Sequence, residues 1–187
     1  MPQRYRRPVA TFIETFKGWT DTLRQDVDAM QAIIEGAGAE LEARKLAAGA
    51  LSYLVMRMDL VPDWNQGIGV LDDVMVLRVS AQLAQGYDLG PLPGDAEYDL
   101  GRMSNEADRI TEFLGDEIYD KLKVYCARLG ETAVRGRTPL SVVNDETARK
   151  ALYTEVEDEL KKNGPVVIED PADAEIRLKA YLTHKLA

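Results

Sequence analysis

A chain of 187 residues, 45% hydrophobic and 29% charged, is long enough to bury roughly 70% of its unfolded surface without disulfides or a structural ion. Its net charge of −9 divides as −6 over residues 1–100 and −3 over residues 101–187, so neither half offers the basic face that a phosphate backbone requires, which argues against nucleic acid as a partner. The single Cys126 excludes an internal disulfide and any multi-cysteine metal site.

In chain order, the first apolar stripe is Phe12, Phe16, Trp19, Leu23, Val27, Met30 and Ile34, which predicts an amphipathic helix from Pro8 to Glu35 ended by the glycines at Gly36 and Gly38. A second stripe, Leu46 to Met58, predicts a helix running to about Met58. After a loop rich in aspartate comes a segment from about Leu71 to Gln85 that is apolar on nearly all sides, the pattern of a helix at the centre of a fold. The Gly- and Pro-rich "GYDLGPLPGD" then breaks the chain. A long stripe from Leu100 to Leu129 follows, with Gly101 and Gly115 as candidate kinks. Thr138 followed by Pro139 reads as a capped helix start, Asn144 or Asp145 as another, and Asp170-Pro171 as the start of a last helix reaching about Lys185. No strand pattern emerges. The expectation is an all-α, compact multi-helix bundle of six to seven helices in one domain, 1–187, around a buried hairpin at 41–86 with a helical extension at 95–187.

Few residues offer chemistry. The only histidine, His184, lies three residues from the last position, and no zinc helix, phosphate loop or nucleophile elbow is present. Cys126 has no neighbour in sequence that would lower its pKa. The basic residues Arg128, Arg135, Arg137, Arg149 and Lys150 are expected on solvated helix ends rather than in an anion site. What remains is "RMDLVPDWNQGIGVLDD", Arg57 to Asp73. Oxygen-only ligands suit Ca²⁺ or Mg²⁺, so Asp59, Asp63, Asn65, Asp72 and Asp73 are candidate metal ligands, although the spacing is not that of an EF-hand. The competing reading is structural. Asp59 ends one helix, Pro62 stiffens the turn, Asp63 bonds the turn backbone, Gly69 bends it, and Asp72 and Asp73 cap the next helix and complement its dipole.

The residues Asp59, Leu60, Val61, Pro62, Asp63, then Gly69, then Leu71, Asp72 and Asp73 resemble the signature of the YkvA-like family (domain of unknown function 1232), over about residues 46–84. The resemblance implies a compact helical hairpin and a bacterial source, and no reaction. The expectation for function is therefore a non-catalytic, cytoplasmic, acidic helical protein without a cofactor, which binds another protein or itself. Two alternatives stand beside it. One is a Ca²⁺ or Mg²⁺ protein, possible hydrolase chemistry included, at the aspartate loop. The other is peripheral attachment to the inner membrane through an N-terminal helix and Arg4, Arg6 and Arg7.

Overall fold

The computed structural model describes residues 10–56, 60–62, 64–65 and 67–187, and all of its regular structure is helical. The first helix, α1 (Phe12–Trp19), opens on a reciprocal cap in which the Thr11 hydroxyl accepts from the Glu14 amide and the Glu14 carboxylate accepts from the Thr11 amide. The single helix predicted to Glu35 is divided by a 3-10 turn at Thr20–Thr22 before α2 (Leu23–Glu35). Two hydroxyls explain the division. Thr20 donates to the Lys17 carbonyl at 2.7 Å and Thr22 to the Trp19 carbonyl at 3.1 Å, local bonds that compete with the α-ladder.

Helices α3 (Leu41–Tyr53) and α4 (Leu71–Ala84) form the predicted central hairpin. In α4 every residue from 71 to 81 is buried, as its all-round apolarity required. Around it lie α5 (Gly94–Leu114), α6 (Asp116–Leu129), the short α7 (Pro139–Asn144), α8 (Glu146–Lys162) and α9 (Pro171–Leu186). The stripe from Leu100 to Leu129 is thus two helices. Gly115 separates them at φ +80°, a conformation few other residues adopt, while Gly101 sits inside α5 without breaking it. The predicted starts at Thr138 and Asp170 are confirmed: each side chain accepts from the amide three residues on, with Pro at the first helical position.

One continuous apolar cluster draws buried residues from each of these helices, from Ile13 to Leu186. The α3–α6 crossing is especially close. A Cβ on Gly49 would lie 2.4 Å from the Leu129 carbonyl oxygen, so the small residues of "AAGA" admit the end of α6 against the α3 backbone.

Candidate functional site

The inter-helix loop begins one turn past Tyr53, at the last position of α3. The Tyr53 hydroxyl accepts from the Leu60 amide at 2.8 Å and donates to the Asp72 carboxylate. The same Oδ2 of Asp72 accepts from the Val61 amide at 3.2 Å. Tyr53 and Asp72 are fully buried, so these bonds form away from water, where an unmet partner would be expensive. Burial first, then the charges of Asp72 and Asp73, push the Tyr53 hydroxyl well above the ordinary tyrosine value, keeping it a donor. Asp72 was expected to serve its own helix as a cap. Instead its side chain reaches back to Tyr53 and Val61, and Val70, at the N-cap of α4, makes no side-chain cap bond. The carboxylate still lies in the first turn of α4, where the helix dipole favours negative charge.

Asn65 is held by a different element. Its Oδ1 accepts from Arg177 at 2.7 Å and its Nδ2 donates to the Tyr181 hydroxyl at 2.6 Å, both from α9. Its backbone carbonyl accepts from Ile68 and Gly69, making the turn that the glycine signal foretold. Of the five candidate metal ligands, Asp59 and Asp63 lie outside the described residues. Asn65 offers its side-chain oxygen to a guanidinium, whose positive charge opposes a cation there. Asp72 and Asp73 are buried side by side at the start of α4. Among the described residues, no group of three or more His, Cys, Asp or Glu is placed to hold a metal ion.

Beside the loop runs a cleft of about 320 Å³, whose lining includes Trp64, Asp73, Glu159, Pro165 and Val167. Trp64 is 76% exposed and Val167 68%. Gly67, at φ +84°, lets the loop and the α8–α9 connector meet, since a Cβ there would be 2.8 Å from the Val167 carbonyl oxygen.

A second polar cluster, which sequence reasoning missed, lies inside the bundle. Arg78 of α4, fully buried, pairs with Asp26 of α2 at 3.1 Å and Glu106 of α5 at 2.8 Å, and its guanidinium lies 4.3 Å from the centroid of the Trp19 ring. Arg102 of α5 reaches the other oxygen of Asp26 at 2.5 Å and also pairs with Asp99 and Glu106. Burial lowers the Arg78 pKa, opposed by Asp26 and Glu106; burial acts the same way on Arg102, but there Asp26, Asp99 and Glu106 together outweigh it and the net shift is upward. The available signal was Arg78 itself, the one basic residue of α4 and its one charge beyond the first turn.

Four of the five basic candidates are engaged structurally. Arg135 and Arg137 both pair with Glu155, Arg149 donates to the last carbonyls of α7 at Val142 and Val143, and Lys150 pairs with Glu146. Cys126 is buried, which pushes its thiol up to about 12. No described helix is long and apolar enough to cross a membrane.

Fold and site together define an all-α bundle whose central hairpin is tied by a buried tyrosine–aspartate pair. Residues 43–78, which hold that hairpin's core, match the family described as protein of unknown function (DUF1232), in agreement with the YkvA-like resemblance. Searches of curated proteins and of solved structures gave no significant match.

Proposed function

We infer that this chain is a non-catalytic, cytoplasmic protein-binding module. The observation that carries the reading is a contrast at one place. Asn65 of the loop and Asp72 at the start of α4 are engaged in bonds that fix the fold, whereas the large apolar side chains of Trp64 and Val167 stand exposed along the adjoining cleft. Solvated tryptophan of this extent is the kind of side chain that anchors protein interfaces. A catalytic use of the loop would need polar groups left available to a substrate.

The test is affinity capture with the full chain against Trp64→Ser and Val167→Ser, alongside calorimetric titration with Ca²⁺, Mg²⁺ and Mn²⁺. Protein-binding predicts a prey retained by the parent chain and lost from both variants, with no heat from the ions. Saturable metal heat abolished by Asp72→Asn, or turnover of a phosphoester or ester panel, would replace this reading with the metal alternative. Co-sedimentation with anionic vesicles that vanishes when Arg4, Arg6 and Arg7 become Ala would instead favour the peripheral-membrane alternative.

A further inference from the structure

The geometry points to a second copy of this chain as the partner, docked through the α8–α9 connector by antiparallel pairing of residues 163–170; this rests on the protein-binding reading and names its partner. The connector is non-helical, and its two ends, Asn163 (φ −73°, ψ 104°) and Asp170 (φ −124°, ψ 95°), have extended backbone. Exposure alternates along its apolar centre: Val166 and Ile168 are half-buried and Val167 is exposed, the period of a strand lying on a surface. Among the described residues, none makes a backbone–backbone hydrogen bond with Val166, Val167 or Ile168. An apolar extended segment with unpaired amides and carbonyls is a ready template for another strand. Close packing of the Val167 carbonyl against Gly67 holds that template on the body of the bundle, with Trp64 beside it in the same cleft.

Charge selects the occupant. The sequence across the connector is "KKNGPVVIED": two lysines before the apolar centre and two acids after it. Antiparallel pairing of two identical copies brings the lysine end of each connector, Lys161 and Lys162 in the last turn of α8, toward the acidic end, Glu169 and Asp170, of the other, twice over, as an isologous two-fold contact demands. Parallel pairing would set like charge against like. The lysines are free to change partners. Their side chains are 67% and 68% exposed, and their present bonds, to Glu157 and Glu159, are surface pairs within one helix, each worth little.

Sedimentation equilibrium of the full chain over a wide concentration series tests this. The parent chain is expected to reach twice its monomer mass. Lys162→Glu and Glu169→Lys should each weaken dimerisation by roughly tenfold or more, because like charges then meet twice across the axis. An equimolar mixture of the two variants, and the chain carrying both changes, should recover the dimer. Circular dichroism checks that helix content is unchanged at these exposed positions. A chain that stays monomeric throughout, or a dimer indifferent to both reversals, or a mixture that fails to recover, overturns the proposal. A monomer that still retains a prey through Trp64 sinks self-pairing alone; a monomer that retains none sinks the protein-binding reading as well.

Discussion

Tyr53 stands where α3 gives way to the loop, and its hydroxyl meets both the returning backbone at Leu60 and the carboxylate that opens α4. Removing that oxygen with Tyr53→Phe leaves the Leu60 amide and one side of Asp72 without this partner in the interior. The expected loss is about 1–3 kcal/mol of unfolding free energy, read by urea denaturation. Alkaline pH acts on the same group. Tyr53 ionises near 10 in the unfolded chain but stays protonated well above that in the folded one, so above pH ~10 the folded state holds more protons and stability falls as pH rises. Melting curves taken across that range should fall less steeply for Tyr53→Phe than for the parent chain. An unchanged slope would mean that Tyr53 does not carry this dependence.

Between elements, the ion network of Asp26, Arg78, Arg102 and Glu106 ties α2, α4 and α5 at fixed rotations, because each guanidinium must meet carboxylates from a different helix. A buried pair is a poor source of net stability but a costly thing to break from one side. Arg78→Met is therefore expected to destabilise by about 3–5 kcal/mol, since Asp26 keeps its burial and loses a counter-charge; exchanging both Asp26 and Arg78 for apolar residues should recover part of that loss. Chemical denaturation of the two variants decides the point. At the α3–α6 crossing the constraint is volume. Gly49→Ala drives a methyl into the Leu129 carbonyl, and a drop in melting temperature equivalent to about 1–3 kcal/mol is expected.

At the scale of the whole molecule, the segment matched to the family is the middle of a larger core rather than a free-standing unit. Helix α4 is buried on all sides by α1, α3, α5 and α6, so a hairpin cut at 41–86 would expose most of that surface to water. Such a fragment should show no cooperative thermal transition by circular dichroism, while the full chain shows one. A sharp transition in the fragment would show that the hairpin carries its own stability.

Helix existence, the capped starts at Thr138, Asp145 and Asp170, and the centrality of α4 follow from local periodicity and cap chemistry, which act within a few residues and are legible in order of sequence. The turn at Asn65–Gly69 was legible for the same reason. Partner choice was not. Nothing in the spacing of Asp72 says that Tyr53 and Val61 will claim it ahead of its own helix, that α9 will supply Arg177 and Tyr181 to Asn65, or that Arg78 will find Asp26 52 residues away. Those pairings depend on helix rotations and crossings set by packing the entire core, a sum over long-range contacts. The sequence by itself determined which segments are helices and which one lies at the centre; tertiary structure decided which polar groups are consumed by the fold and left Trp64 and Val167 in the open.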